Sequence, residues 1–545
     1  MNLIQIEKGK RIADSVREQV SQPYSVFGVF GQGRLYRLDT VAEESFPAKG
    51  LTLQDTDGYR IYYHTVLSLF MAALSNLYPD LRASAEHFIG DALYIAPVGE
   101  YAFTSEQLKK IEEQMRAYAE EDIPIERKRF SYEEALDRME KEKREDALKL
   151  YRHVRPDTID MIFMAGHYFL FHNYLAPSAF YARNFSIKPY YPGLLLLFET
   201  AESEGEVPVF REQRNLAKTY QVSRNELRLL QLETAGEISE AIAQGRTRQI
   251  MHTIDLQLEH RLRDLALRIQ KDDDIRLILV AGPSSSGKTT FSKKLSSHLR
   301  ALGKRPITLS MDDYFIDRAH TPLDEDGTPN FEAAEAVDME RFNRDMLTLL
   351  EGSEVQMPRY DFLSGKSFPD GRILRIDRHH PMIIEGIHGL NPRMTETIPE
   401  KNKIKVYISA LTQLNIDYNN RIAATDVRFL RRLVRDHKFR GHDAERTFEL
   451  WQKVRRSEDR EIFRFQEEAD VSLDTSLAYE LFVLKPYAEA LLKTVQRKSP
   501  YWKDAKRLLR FLAYFMEADA SLVSDTSLLR EFIGGSYYED ANEWM

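Results

Sequence analysis

Ile275 to Ala281 reads IRLILVA and runs directly into Gly282-Pro283-Ser284-Ser285-Ser286-Gly287-Lys288-Thr289. The eight residues fit the phosphate-binding loop pattern G-x-x-x-x-G-K-[ST] without a mismatch. The apolar run before them has the length and composition of a buried strand. Thr289 to Arg300 (TTFSKKLSSHLR) then places Phe291, Leu295 and Leu299 on one helical face. Strand, glycine-rich turn and helix N-terminus together make an anion cradle of inward-pointing N–H groups. The candidate nucleotide-binding residues are therefore Gly282, Pro283, Ser284, Ser285, Ser286, Gly287, Lys288, Thr289 and Thr290. Lys288 would reach the β and γ phosphates of ATP, and the Thr289 hydroxyl would sit on Mg²⁺. The competing reading is a Gly/Ser-rich connecting loop.

Outward from the loop, further strands are expected at Pro306–Ser310, Pro381–Ile384, Lys405–Ser409 and near Ala469–Leu473. Together they predict a parallel α/β sheet flanked by helices. Ligands of such sheets bind at the carboxyl ends of strands. Asp312, in Met311-Asp312-Asp313-Tyr314, lands there and is the candidate catalytic base or Mg²⁺ ligand. Asp313 reads better as a turn residue. Glu385, at the end of an apolar strand, is the second candidate for Mg²⁺ or its water shell.

Arg428, Arg431, Arg432, Arg435 and Arg440 cluster in RFLRRLVRDHKFRGH. The first four share helical spacings, and Arg440 is expected just past the helix end. Arginine forks suit the oxygens of a transferring phosphoryl group. The cluster reads as a lid, against the alternative of a solvated basic face.

Composition sets the frame. The chain has 545 residues, 43% hydrophobic and 30% charged, with a formal net charge of −9. No global positive field would draw nucleic acid, although a local basic patch stays open. There are no cysteines, which excludes disulfides, thiolate zinc sites and a cysteine nucleophile. The charged N-terminus lacks the apolar core of a signal peptide. No apolar stretch approaches a membrane span. The expected location is cytoplasmic.

Five units are expected. Residues 1–58 form a small glycine-punctuated β-rich module, and residues 59–200 an α+β region. In the latter, His64 to Leu77 reads as a buried helix and Thr104 to Glu121 as an amphipathic one, with Thr104 and Gln107 as a capping box. Residues 201–272 make a charged helical connector whose stripe is Ile254, Leu258, Leu262, Leu265 and Ile269. Residues 273–495 carry the phosphate loop, and 496–545 a C-terminal extension.

The segments AGPSSSGKTTFS, SMDDYF, MPRYDF, IIEGIHGL and RRLVRDHKFRG resemble, in order and spacing, the uridine kinase/phosphoribulokinase family. That resemblance implies Asp312 as catalytic base, with Lys288, Arg432 and Arg435 as catalytic partners. It implies Arg440 at the nucleotide, Tyr360, Glu332 and Arg432 at the acceptor, and Thr289, Asp312 and Glu385 at Mg²⁺. The acceptor pocket departs from the pattern. Phe331-Glu332-Ala333-Ala334 stands where the family has F-D-H-P, and Gly365 where it has a histidine. Leu450 and His442 replace a glutamine and an arginine.

Residues 1–58 resemble the TGS module of threonyl-tRNA synthetase. Residues 59–200 resemble its editing domain, through DGYRIYYHTVLSLFMAAL and IPIERKRFSYEEAL. The editing signature is H-x-x-x-H followed by C-x-x-x-H. Here Ser68 follows His64, and no cysteine exists, so hydrolytic editing is expected to be lost. His167 and His172 read as packing or hydrogen-bonding residues. Kinase-like and synthetase-like regions together resemble a longer bacterial nucleoside-kinase family, ending in SLLREFIGGS.

The leading expectation is an ATP- and Mg²⁺-dependent phosphotransferase acting on a hydroxyl of a nucleoside or similar small substrate. The alternative is a nucleotide-dependent RNA-binding or regulatory protein using the synthetase-like half. Nucleic acid is the less favoured partner, a membrane is not expected, and homo-oligomerisation is left open.

Overall fold

The structure is a computed structural model describing residues 3–203, 205–324 and 327–539. Met1 and Asn2 of the expected first module, and residues 540–545 of the expected C-terminal extension, lie outside the described residues. The phosphate loop belongs to a five-stranded sheet of β1 (Leu277–Ala281), β2 (Ile307–Ser310), β3 (Met382–Glu385), β4 (Lys403–Ser409) and β5 (Val471–Asp474). Its order is β2-β3-β1-β4-β5, and every pairing is parallel. All five residues of β1 are buried, as a central strand covered by helices on both faces requires. In register, Val280 and Ser310 both sit beside Glu385. The carboxyl ends of three strands, and so the loop, Asp312 and Glu385, therefore emerge at one edge.

Helices close the faces. The helix α1 (Thr247–Lys271) buries Ile254, Leu258, Leu262, Leu265 and Ile269, the stripe its spacing predicts. They enter the same core as Phe291, Leu295 and Leu299 of α2 (Lys288–Ala301). Glu259 on α1 also holds His298 of α2 at 2.7 Å and pairs with Lys294. α3 (Ala424–Arg440), α4 (Ala444–Glu461), α5 (Glu480–Leu492) and α6 (Trp502–Leu512) follow. Arg507 of α6 is bidentate to Asp426 of α3. After α6 the chain turns back towards α2, where Lys294 Nζ donates to Thr526 O at 2.6 Å.

The N-terminal module is a four-stranded antiparallel sheet with one helix, Ile12–Gln19. The buried helix expected from His64 begins eight residues earlier, at Thr56. Its first turn is polar, so an apolar pattern does not reveal it. Gly58 permits that start, since a Cβ there would come within 2.0 Å of Thr52 O. The helix Ser105–Glu120 carries the capping box expected from Thr104 and Gln107. A four-stranded sheet ending in Phe185–Tyr190 and Gly193–Phe198, and a three-stranded one, complete this α+β region.

A hairpin following β4, with strands Asn415–Asp417 and Asn420–Arg421, fastens the halves together. Asn415 Nδ2 donates to Ala85 O at 2.9 Å. The buried Asp417 meets His172 at 3.1 Å and Arg144 at 3.4 Å. Burial would raise its carboxyl, but these partners hold it below the usual range.

Candidate functional site

The loop backbone is shaped for close approach. Gly282 begins it against β4, where a Cβ would lie 2.0 Å from Ile408 O. Ser285 and Gly287 both adopt the left-handed region, at φ 62° and 87°. Only glycine adopts the latter without strain. The hydroxyls of Ser285 and Ser286 are buried and make no hydrogen bond among the described residues. Lys288 Nζ donates to Gly282 O at 2.9 Å and Pro283 O at 3.2 Å, so its ammonium arches back over the loop.

Thr289 donates its hydroxyl to Glu385 Oε1 at 2.9 Å. Asp312 sits in a short 3₁₀ turn, Met311–Tyr314, whose cap is Ser310: the Ser310 hydroxyl accepts from the Asp312 N–H at 3.3 Å. The cap of this turn is thus the Ser310 hydroxyl and not the Asp312 carboxylate. Burial, opposed by Lys288 and reinforced by Glu332 and Asp313, pushes the Asp312 carboxyl up to about 6. Burial, opposed by Lys288 and reinforced by Asp312, pushes Glu385 up to about 7. Glu332 is raised by burial as well, with Arg432 and Lys288 opposing. Three carboxyls thus share the field of one lysine, an arrangement with a surplus of negative charge that a cation would relieve.

The arginine helix divides its labour. Arg428 and Arg431, expected on a lid, are almost wholly buried and form ion pairs with Glu458 and Glu480. They also grip the phosphate loop from behind. Arg428 donates to Ser284 O at 3.1 Å, and Arg431 to Ser285 O at 3.3 Å. Glu458 accepts from the Ser284 N–H at 3.0 Å. Both arginines lie at spacings that would suit a lid, but their charge is consumed in bracing the loop.

Arg432 reaches the Ser284 hydroxyl at 2.8 Å. Arg432, Arg435 and Arg440 surround the fully buried Asp436 at 3.1, 2.9 and 3.3 Å. Arg440 is the last residue of α3, with Gly441 as left-handed cap, and not beyond the helix as expected. Burial lowers its guanidinium, and Asp312 is among the charges opposing that shift. Arg455 pairs with Glu458 at 2.9 Å, a supporting position.

Tyr360 is buried among Phe315, Phe331 and Phe362, with ring centroids 5.6, 6.2 and 5.0 Å away. Gly365, where a histidine was expected, has φ 69°, and a Cβ there would meet Arg318 at 2.8 Å. A side chain there would be strained by that φ and would have to displace the Arg318 side chain. The structure thus brings Lys288, Thr289, Asp312, Glu332, Glu385, Arg432 and Arg440 into one neighbourhood, with Arg435 behind Asp436.

Sequence reasoning missed Asp436, Glu458, Glu480 and Glu531. Asp436 was within reach, because Arg432 and Arg440 flank it at four-residue spacing. Glu458 and Glu531 lie 174 and 241 positions from their loop partners, and no local signal exposes them.

In the synthetase-like region, His64 Nδ1 contacts Arg60 O at 2.7 Å, and its Nε2 contacts Asn173 at 3.0 Å. Burial lowers its imidazole to about 3. Ser68 donates to Thr65 O at 2.7 Å. His167 meets Glu142 and Asn76. These side chains are committed to packing and hydrogen bonding.

Donor chemistry fits Mg²⁺ with a nucleotide. Hydroxyl and carboxylate oxygens of Thr289, Asp312 and Glu385 are hard ligands. Among the described residues no three His, Asp or Glu form a metal cluster by themselves. Phosphate oxygens and water would complete the shell, as is usual for Mg²⁺. The buried serine hydroxyls and the left-handed loop fit a phosphate.

Residues 277–477 match the model of the "Phosphoribulokinase / Uridine kinase family". The chain is 30% identical over 179 residues to the uridine kinase of Anoxybacillus flavithermus, covering 33% of this chain and 75% of that one. It is 26% identical over 166 residues to the threonine–tRNA ligase of Clostridium kluyveri, covering 30% of this chain and 26% of that one. The chain thus spans about a quarter of the length of that ligase. A solved structure of a possible uridine kinase from Bacillus stearothermophilus is 21% identical. That match covers 40% of this chain and all of that one at a TM-score of 0.27. Loop, sheet and matching relatives agree: a threonyl-tRNA ligase-like region is fused here to a phosphate-loop unit, and through that unit the chain belongs to the phosphoribulokinase/uridine kinase family.

Proposed function

We propose that the protein is an ATP-dependent kinase that transfers a phosphoryl group to a hydroxyl of a nucleoside, uridine- or cytidine-like, or of a related sugar-like alcohol. The observation that carries this reading is the convergence of Asp312, Glu385 and Thr289 on Lys288 at the carboxyl edge of the sheet. ATP with Mg²⁺ supplies the phosphoryl donor and the charge that neutralises the transferring oxygens. The loop from Gly282 to Thr290 holds the phosphates through backbone N–H groups, and Lys288 reaches the outer ones. Thr289, Asp312 and Glu385 hold the metal side. Asp312 accepts the proton of the acceptor hydroxyl at its carboxylate. Arg432 and Arg440 face the developing negative charge, and Asp436 fixes their orientation and that of Arg435. Glu332 and the aromatic box around Tyr360 line the acceptor side, where departures from the uridine kinase pattern make another sugar-like alcohol the main variation. Among the described residues no helix is long and apolar enough to cross a membrane.

The test is ATP consumption by the purified chain with Mg²⁺, across a panel of nucleosides and sugar alcohols, beside Asp312→Asn. Turnover that depends on one acceptor and vanishes in the variant supports the kinase and identifies the acceptor. ATP binding without acceptor-dependent turnover overturns it.

A further inference from the structure

His388, in the segment IIEGIHGL, is 1% exposed, and neither of its ring nitrogens makes a hydrogen bond among the described residues. A neutral imidazole carries one donor and one hydrogen-bond acceptor. Burying both unpaired costs stability that an apolar side chain of similar size would not cost. Such a group in a folded protein calls for a role.

Its place in the fold points to one. The loop 386–389 follows β3 and runs between the turn of Asp312 and the root of the phosphate loop. A Cβ on Gly386 would lie 2.5 Å from the Met311 side chain, and one on Gly389 3.3 Å from that of Ala281. Burial pushes the His388 imidazole down to about 4, and the groups that oppose this are Glu335 and the Ala333 backbone. The ring is therefore neutral at neutral pH and sits against the segment 330–336. That segment carries Glu332 and, at Ala333, the position where the F-D-H-P pattern has a histidine.

The segment is anchored unevenly. Ala336 O accepts from the Ile316 N–H at 2.9 Å, and the Asp338 N–H donates to Tyr314 O at 2.8 Å, which ties its end to the turn of Asp312. The N–H groups of Glu332 and Ala333 are spent locally, on Asn330 at 3.0 and 3.4 Å. Yet Glu332 must be well placed, since its charge acts on Asp312 and is itself opposed by Arg432 and Lys288. A donor reaching the Ala333 carbonyl from the sheet would fix the backbone beside it. His388 is next to that backbone, with the hydrogen bond not closed. Bonds of this kind tighten when substrate fills a site.

Resting on the kinase reading, we propose that His388 is a positioning residue for the substrate alcohol: its N–H takes the Ala333 carbonyl as the substrate binds, and so holds Glu332 against the substrate's hydroxyls. An imidazole from the loop after β3 thereby does the work of the one that position 333 lacks.

The experiment compares the full-length wild type with His388→Leu, His388→Gln, Glu332→Gln and the double variant His388→Leu/Glu332→Gln. Melting, calorimetric binding of ATP with Mg²⁺, and steady-state turnover of the alcohol that the wild type phosphorylates are measured on each. His388→Leu should melt no lower than the wild type, because it removes two unpaired buried nitrogens. Its KM for the alcohol should rise about tenfold, the worth of one hydrogen bond, while kcat and ATP affinity change less than about twofold. His388→Gln, which keeps a donor, should recover most of that loss. The double variant should raise KM no further than the more damaging single change, as coupled residues do. A wild-type KM in both His388 variants would overturn the proposal, whatever their melting curves, and so would additive effects in the double variant. Absence of alcohol-dependent turnover in the wild type would overturn the kinase reading itself, and this inference with it.

Discussion

The backbone N–H of Thr290 donates to the carboxylate of Glu531 at 3.2 Å, across 241 positions of chain. Thr290 is in the first turn of α2, where N–H groups lack partners within the helix and face an anion. Around it, Leu528 packs on Gly287, and Lys293 donates to Tyr538 O at 2.7 Å. The C-terminal segment therefore lies on the phosphate loop, and Glu531 adds its charge to those that raise Glu385.

A carboxylate on a phosphate-facing donor competes with the nucleotide. Glu531→Gln keeps the hydrogen-bonding shape and removes the charge. Affinity for ATP with Mg²⁺ should rise about two- to tenfold, the worth of roughly 0.5–1.5 kcal/mol. Titration calorimetry decides it; unchanged or weaker binding would mean that Glu531 supports the loop without competing.

Asp312→Asn leaves shape and burial intact and removes the proton acceptor. Acceptor-dependent turnover should fall by about 10²–10⁴, the usual contribution of a positioned base, with ATP binding retained. A fall below tenfold would remove Asp312 from that role.

Turnover should rise with pH through about 6, as the Asp312 carboxyl loses its proton. Stability without nucleotide should run the other way. Asp312 and Glu385 have folded values of about 6 and 7, raised above those of the unfolded chain. Their stabilising contribution is complete below the ordinary carboxylate range and is lost as pH rises through those values. Melting curves of the wild type and Glu385→Gln across pH 4 to 8, a window set by these shifts, isolate the effect. The variant should show the smaller decline, and parallel curves would refute it.

Arg428→Ala should cost about 3 kcal/mol, because it leaves the buried Glu458 carboxylate, which also accepts from the Ser284 N–H, with only Arg455 of its two arginine partners. Arg428→Met combined with Glu458→Leu should recover part of that loss, as apolar replacements of buried pairs do. Denaturant unfolding measures both. A double variant no more stable than Arg428→Ala would show that the loop contacts, and not the weakened pairing of Glu458, dominate.

Much of this protein was legible residue by residue. The run IRLILVA and the GPSSSGKT motif announce a strand, a loop and a helix, because backbone geometry, burial and phosphate binding constrain neighbouring positions together. The strands that deliver Asp312 and Glu385, and the stripe from Ile254 to Ile269, are likewise written in local spacing. The polar first turn of the helix from Thr56 is not, because its helical start depends on Gly58 passing close to Thr52 O.

Other matters were settled only by the folded chain. Local spacing assigns Arg428 and Arg432 to one helix but is silent on which charge is buried and which reaches the site. Glu458, arriving from another helix, made that choice for Arg428. At Gly365, where a histidine was expected, a left-handed turn packs directly against the Arg318 side chain. Glu531 meets Thr290 through long-range packing. The sequence alone determined the loop, its sheet and its candidate ligands, since these depend on contiguous residues. Tertiary structure decided which charges brace, which face the site and what lies on the loop, since each depends on partners brought together only when distant segments share a core.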